Sequence, residues 1–181
     1  LFKTISSSLD NLVILYAPSY GESAPEKVSK KILKKHLSIS VCGLLHLSKA
    51  WVELKKDQPL SVIVLTYGMT KIIGTEEINP CNATLSAAQV MAQENRAFRF
   101  TVVDLNPEEQ PQSNQDFVSE LLSRALSVQR DKRFAVLIYR NGYQWAQTYV
   151  PIQAKKGKNL LKNKGVYLFT GGLGGIALAC C

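Results

Sequence analysis

Apolar residues along the chain fall in short runs, separated by polar segments that contain glycine or proline. Residues 60–67 (LSVIVLTY) form a continuous β-branched run, which predicts a strand buried on both faces. Further runs predict a buried strand at residues 11–17, strands at 98–105, 134–140 and 143–150, and a short buried strand at 165–169.

Between these runs, apolar residues recur every three or four positions, which is the spacing of a helix with one buried face. One helix is predicted to begin at the capping box Ser23-Ala24-Pro25-Glu26, and a second covers residues 43–56. Residues 38–42 lie between them and are ambiguous, with a short strand as one possibility. Two more helices are predicted, at residues 83–94 and after Ser113, which caps the last one.

The dipeptide Asn141-Gly142 separates two of the predicted strands. Two residues of this type favour a type I′ turn, because both positions take a positive φ, and they therefore predict a β-hairpin. The other strands alternate with helices, which indicates parallel pairing. We therefore predict an α/β fold, with a mostly parallel sheet flanked by helices and an antiparallel β-hairpin at its edge.

The composition, with 46% hydrophobic and 20% charged residues, is that of a globular protein. No apolar run reaches the roughly 18–20 residues of a membrane span, and the first residues lack both a signal-peptide layout and a starting Met. We therefore expect no membrane partner and a cytoplasmic location. We also expect that this sequence is a piece of a longer chain. The four cysteines lack metal-ligand spacing, so we expect free thiols and no metal site; they are Cys42, Cys81, Cys180 and Cys181.

Much of the net charge of +8 comes from two sets of lysines. The first set is Lys27, Lys30, Lys31, Lys34 and Lys35, and the second is Lys155, Lys156, Lys158, Lys162 and Lys164. Such sets indicate either an acidic or nucleic-acid partner, or simply a solvated helix face and loop. No aromatic residues are interleaved with the lysines, so we expect no nucleic-acid partner and favour the solvated surface.

A glycine-rich segment after the predicted strand 165–169 is the main candidate for a binding site. It consists of Thr170, Gly171, Gly172, Leu173, Gly174, Gly175 and Ile176. A strand, a glycine turn and the start of a helix open a dinucleotide-binding βαβ unit, because the helix N–H groups can face a pyrophosphate. Ala177 stands where a third glycine is usual, and the ribose-reading residue expected about 20 positions later would follow Cys181. The predicted site is therefore incomplete, and a flexible turn without function is the alternative.

Other catalytic patterns are weak. His36 and His46 lie on predicted helices, and His46, which flanks an apolar face, is interpreted as a surface or core-edge residue and not as a ligand. Glu94 and Asp104 could form a carboxylate pair, although we favour loop anchoring or capping for them. The chain has no P-loop and no G-x-S-x-G nucleophile elbow.

Several motifs occur along the chain in the order known from one family. They are Leu44-Leu45-His46-Leu47, the strand ending in Thr66, the segment from Asn79 to Leu85, Gln93-Glu94 followed by Asp104, Tyr139-Arg140-Asn141-Gly142 with Trp145 and Tyr149, and Thr170 to Ile176. Together they resemble the ketoreductase region of modular polyketide synthases, and in particular its N-terminal structural subdomain. The resemblance covers roughly residues 44–179, and residues 1–41 fit only loosely.

The resemblance implies a degenerate Rossmann-like structural subdomain at residues 1–153, a linker at 154–164 and the start of an NADPH-binding catalytic subdomain at 165–181. In that family the catalytic subdomain carries the Ser, Tyr and Lys that reduce a carrier-bound β-ketone, and these have no positions in this chain. We therefore expect no catalytic residue and no bound cofactor here.

The expected role is to scaffold the catalytic ketoreductase subdomain, with neighbouring synthase domains as further partners. Two alternatives stay open. The chain could be one section of a split ketoreductase that another chain completes, or a basic module that binds an acidic acyl carrier protein.

Overall fold

The computed structural model describes residues 12–18, 27–54, 58–72, 74, 79, 84–106, 115–153, 157, 162–168, 170–171 and 174–180. The chain divides into two compact units, Leu1–Gln147 and Thr148–Cys181. The first unit contains the sheet and most of the helices, and the second contains the glycine-rich segment.

The first unit is built on a sheet of five strands in the order β1-β2-β3-β4-β5. The strands are β1 (Val13–Tyr16), β2 (Leu60–Tyr67), β3 (Phe98–Leu105), β4 (Phe134–Arg140) and β5 (Tyr143–Ala146). Strands β1 to β4 pair in parallel, and β5 pairs antiparallel with β4. The predicted α/β fold with a mostly parallel sheet is confirmed.

The helices cover both faces of this sheet. They are α1 (Lys30–Leu37), α2 (Gly43–Leu54), α3 (Thr84–Glu94) and α4 (Gln115–Asp131). Leu44 and Trp51 of α2 share one core cluster with Ala88 and Met91 of α3, whereas α4 contributes to a second cluster. Alternate residues of β2 and β3 face the two clusters, which explains why these strands are apolar at nearly every position.

Helices α1 and α2 form one continuous helical stretch rather than two helices separated by a strand. Residues Ser38–Cys42 between them adopt a π-helix, so the possible strand at 38–42 is wrong. Helix α1 begins at Lys30, and its N-cap is Ser29, whose side chain accepts a hydrogen bond from the Ile32 amide at 3.2 Å. The prediction that this helix begins at Ser23 is wrong for residues 27–29, which are not helical. The capping box predicted at Ser23 lies outside the described residues.

Two side chains stabilise the π-helix. The buried Ser40 hydroxyl donates to the His36 carbonyl at 2.6 Å. The Tyr16 hydroxyl, at the end of β1, reaches the carbonyls of Ile39 and Ser40, the latter at 3.2 Å. Burial raises the pKa of Tyr16, and Cys42 adds to the rise. The hydroxyls of Tyr16 and Ser40 therefore donate to backbone carbonyls in and just before the π-helix.

Replacing Gly43 with alanine is expected to lower the free energy of unfolding by about 1–3 kcal/mol. A Cβ at this position would overlap the Tyr16 hydroxyl, so the ring must move and lose its carbonyl contacts. The measurement is urea unfolding of Gly43→Ala in the natural background and in a Tyr16→Phe background, which removes the clashing oxygen. An equal penalty in both backgrounds would contradict this explanation.

The hairpin at the sheet edge has the predicted turn, with φ values of 53° at Asn141 and 75° at Gly142. Strand β5 ends at Ala146, so it is shorter than the predicted 143–150. Arg124 of α4 donates to Gln144 of β5 at 2.9 Å and forms an exposed ion pair with Glu120. Burial raises the pKa of Tyr139; Arg124 opposes this rise and Glu120 adds to it.

The second unit has one described helix, α5 (Gly175–Cys180). Residues 165–168 are not in a strand, and the Val166 and Leu168 side chains are 99% and 93% exposed, so the predicted buried strand is wrong for these residues. Instead, the Gly165 amide donates to the Lys162 carbonyl at 3.0 Å, closing a turn in which Lys164 has a φ of 60°. A strand needs a paired neighbour, and none lies among the described residues of this unit.

The helical stretch Lys30–Leu54 is, by length and composition, long and apolar enough to cross a membrane. The sequence prediction concerned uninterrupted apolar runs, and this stretch is interrupted by polar and charged residues, so it qualifies by its average hydropathy and not as an apolar run. However, Leu44 and Trp51 of the stretch are buried in the core beside Val62. We therefore interpret the stretch as a packed helix of the α/β domain.

Candidate functional site

The carboxyl ends of the parallel strands carry a buried polar cluster. Thr66 of β2, Asp104 of β3 and Arg140 of β4 are at most 1% exposed. Arg140 Nη2 lies 2.6 Å from Asp104 Oδ2, which forms a fully buried ion pair. Open α/β sheets bind their ligands at this edge, so the cluster occupies the position where a ligand site would be expected.

The Asp104 carboxylate is surrounded by donors. Its Oδ1 accepts from the Thr66 hydroxyl at 2.8 Å and from the Met69 amide at 3.0 Å. Its Oδ2 accepts from the amides of Met69 and Thr70 at 3.1 and 3.0 Å, in addition to Arg140. A carboxylate with both oxygens saturated in this way has no free acceptor for a substrate proton. Asp104 is therefore a structural anchor.

Arg140 completes the same clamp from the neighbouring strand. Its Nη2 donates to the Thr70 carbonyl at 2.8 Å, and its Nη1 donates to the carbonyls of Tyr139 and Asp104 at 2.7 and 3.1 Å. The loop after β2 thus contacts the ion pair through both its amides and a carbonyl. A buried charge pair is retained only with such additional hydrogen bonds, because removing both charges from water is costly.

The loop after β2 begins at Gly68, which has a φ of +56°. The Gly68 amide donates to the Leu105 carbonyl at 3.0 Å, which continues the parallel β2–β3 pairing into the first residue of the loop. In a nucleotide-binding α/β domain, backbone amides in such a loop bind phosphate oxygens. Here the amides of Met69 and Thr70 bind the Asp104 carboxylate instead. An internal anion takes the place that a phosphate would need.

The structure places the sequence-predicted carboxylates far apart. Glu94 is exposed at the end of α3, before β3 begins, whereas Asp104 is buried near the end of that strand. Six residues of strand, about 20 Å, separate Phe98 from Asp104, so the two acids do not form a pair. The favoured prediction that Asp104 anchors a loop is confirmed.

Sequence reasoning did not identify Arg140 as the partner of Asp104. The available signal was an arginine at the end of an otherwise apolar strand, since a charged residue at a buried position requires an opposite charge. Its partner lies 36 residues earlier in the chain, and only the pairing of β3 with β4 brings them together. Thr66, Asp104 and Arg140 all belong to the motifs that carry the family resemblance.

The glycine-rich segment lies in the second unit, and its residues Gly172 and Leu173 lie outside the described ones. Gly171 has a φ of +72°, and the Gly174 amide donates to the Gly171 carbonyl at 2.8 Å. A Cβ at Gly174 would lie 3.2 Å from that oxygen, so the turn favours glycine at both ends. Helix α5 starts directly afterwards, and Thr170 and Ile176 flank the turn.

A positive-φ glycine followed at once by a helix also occurs in the first turn of a dinucleotide site, but the described residues before this turn do not form the strand that such a site requires. The described residues around them do not enclose a pocket: Gly171, Gly174, Gly175 and Ile176 are all exposed. The remaining candidates form no catalytic group. His36 is buried and His46 exposed on separate turns, and the described residues contain no cluster of three potential metal ligands.

The lysines predicted to lie on one helix face are exposed. Lys30, Lys31, Lys34 and Lys35 follow one another along α1, and the first turn of α1 contains no acidic residue. Of the second set, only Lys162 and Lys164 are among the described residues, and both are exposed.

Comparison with known proteins gives a matching family and solved structures of similar fold. The family described as beta-ketoacyl synthase-like, N-terminal, matches residues 13–124, which is more than half of the chain. No curated protein sequence matches. Among solved structures, the chain is similar to the adenylation, ketoreductase and pseudo-Asub multidomain structure of a keto acid-selecting NRPS module, with a TM-score of 0.65 and 18% identity. The match covers 99% of this chain but only 15% of that one, and it shows a shared fold.

Proposed function

Because the chain belongs to the beta-ketoacyl synthase-like, N-terminal family, we propose that its first unit is a noncatalytic structural subdomain of a multidomain biosynthetic synthase. More specifically, we propose that it scaffolds a ketoreductase that reduces a carrier-bound β-ketoacyl intermediate with NADPH. The motif resemblance supports the ketoreductase assignment, and a fold shared with part of a ketoreductase-containing module is consistent with it.

The observation that carries the proposal is the Asp104–Arg140 ion pair at the carboxyl edge of the sheet. A subdomain that binds a nucleotide keeps loop amides at this edge available for phosphate. In this protein the Met69 and Thr70 amides are held by a carboxylate, which would also repel a phosphate. The arrangement stabilises the end of the sheet and leaves the domain suited to supporting another domain.

The glycine-rich segment from Thr170 to Ile176 is proposed as the start of the NADPH-binding subdomain. When bound in a complete site, NADPH supplies the hydride for ketone reduction. The turn at Gly171 and the exposed start of α5 would hold the cofactor phosphates through backbone amides. The catalytic subdomain and the neighbouring domains of the same synthase are the proposed partners.

The test is an NADPH oxidation assay of the 181-residue chain with a β-ketoacyl thioester model substrate. We expect NADPH oxidation no faster than in buffer without protein, and no change in NADPH fluorescence when the chain is added. Measurable reduction by the natural chain would overturn the proposal.

A second candidate function is binding of an acidic carrier protein, which the exposed lysine face of α1 favours. A contact of this kind is electrostatic, so the affinity for acyl carrier protein should fall about tenfold or more between about 0.05 and 0.3 M salt. Lys31→Gln/Lys35→Gln should weaken it, whereas Lys49→Gln on α2 is the control with the same type of substitution. An affinity that does not change with salt would exclude this function.

If the chain is instead a section of a split ketoreductase, adding the catalytic section should restore reduction.

A further inference from the structure

An open cleft of about 640 Å³ lies at the amino edge of the sheet, the edge opposite the Asp104 cluster. Its apolar wall is formed by side chains at the start of β1, before β2 and near the end of α4: Leu12, Val13, Pro59 and Leu126. Each strand of eight residues spans about 25 Å, so this cleft and the cluster are separate features of the same unit. Its volume lies within the range of small-molecule sites.

The polar part of the cleft is positively charged. Arg99 of β3 and Arg130 of α4 line it together with Ser61 of β2, and no acidic side chain lines it. Arg99 Nη1 donates to the Gln129 carbonyl at 2.6 Å, which fixes the guanidinium against the end of α4. No ion pair joins Arg99 or Arg130 to another residue in the part of the chain that the structure describes. Arg99 is half-buried and Arg130 is exposed, so both guanidinium groups are accessible from the cleft.

Hydrogen bonds and strand pairing position the residues that line the cleft. Buried Gln129 donates through Nε2 to the Val62 carbonyl at 3.0 Å, which ties the last turn of α4 to the first part of β2. The anchored helix end holds Leu126 and Arg130 on one side, while Ser61 and Arg99 lie on adjacent paired strands. Two cationic groups are thus held beside an apolar wall by elements that do not depend on a ligand.

We propose that this cleft binds an aliphatic carboxylate, in which a short hydrocarbon chain is attached to the carboxylate group. The carboxylate would contact Arg99 and Arg130, which are the side chains that bind such anions through paired N–H donors, and Ser61 could add a hydroxyl donor. The hydrocarbon chain would cover Leu12, Val13 and Leu126. The proposal rests on the geometry of this cleft and is independent of the function proposed above.

The test uses the whole chain and octanoate as the probe, followed by NMR shifts of backbone amides. We expect saturable shifts at residues 12, 61 and 99 at millimolar octanoate, as suits a small ligand with few anchoring contacts. Octanol, which keeps the chain but lacks the charge, should bind about tenfold more weakly or not at all. Inorganic phosphate, which keeps charge but lacks the chain, should also bind more weakly.

Two surface variants make the test specific. Arg130→Gln should weaken octanoate binding by about fivefold or more, and Leu126→Glu should abolish it by placing a negative charge on the apolar wall. Lys49→Gln, on the opposite face of the sheet, removes one positive charge and should leave binding unchanged. Absence of saturation below about 10 mM octanoate, or equal effects of Arg130→Gln and Lys49→Gln, would overturn the proposal.

Discussion

Replacing Asp104 with asparagine is expected to lower the free energy of unfolding by about 3–5 kcal/mol. The substitution leaves the Arg140 guanidinium buried without its counter-charge, and Arg140 is only 1% exposed. It also places an amide N–H₂ group where donors from Met69, Thr70 and Thr66 now converge. At least one of these donors must then lose its acceptor inside the protein, which adds to the cost.

Urea unfolding followed by circular dichroism measures this effect, and the exposed pair Glu120–Arg124 supplies the control. The Arg124 and Glu120 side chains are 53% and 60% exposed, and Arg124 Nη2 lies 2.6 Å from Glu120 Oε1. Because this pair is exposed, Glu120→Gln should lower the free energy of unfolding by less than about 1 kcal/mol. Arg140→Gln should be as damaging as Asp104→Asn, and the double variant should cost less than the sum of the two. Similar small losses for the buried and exposed pairs would contradict the anchoring role.

Replacing Trp51 with alanine is expected to lower the free energy of unfolding by about 3–5 kcal/mol. Trp51 is 1% exposed within the cluster formed by α2, α3 and the sheet, and its Nε1 donates to the Gln58 carbonyl at 3.0 Å. Alanine would leave a large cavity beside Val62 and release the Gln58 carbonyl. The expected loss of stability arises because Trp51 packs between α2 and the sheet.

Val52→Ala, one residue further along α2, is the matched control, because Val52 is 38% exposed. It should change the free energy of unfolding by about 0.5 kcal/mol or less. The comparison also tests whether the stretch Lys30–Leu54 packs against the sheet or crosses a membrane. Only a helix that packs against the sheet would make the stability of this domain depend on Trp51. Equal, small effects of both substitutions would argue against α2 as a core helix.

Only part of the candidate site could be predicted from the sequence. Asp104 was correctly predicted to anchor a loop, because an acid that ends an apolar strand tends to bind nearby backbone amides. The identity of the other partners depended on which strands pair: β3 lies between β2 and β4, and this brings Thr66 and Arg140 to the same carboxylate. The glycine-rich turn was recognised as a turn, and its role in cofactor binding stays a prediction.

Local patterns alone were sufficient for the central strands and the hairpin. The bounds of β2, β3 and β4 agree with the prediction residue for residue, because uninterrupted β-branched and aromatic runs can be buried in few other ways. The positive φ values at Asn141 and Gly142 likewise follow from the residues themselves. Contacts between distant segments decided the rest. Tyr16 contacts the helix carbonyls 23 and 24 residues later, in a segment that is a π-helix and that the sequence had left ambiguous. Residues 165–168 remain outside a sheet because a strand forms only beside another strand.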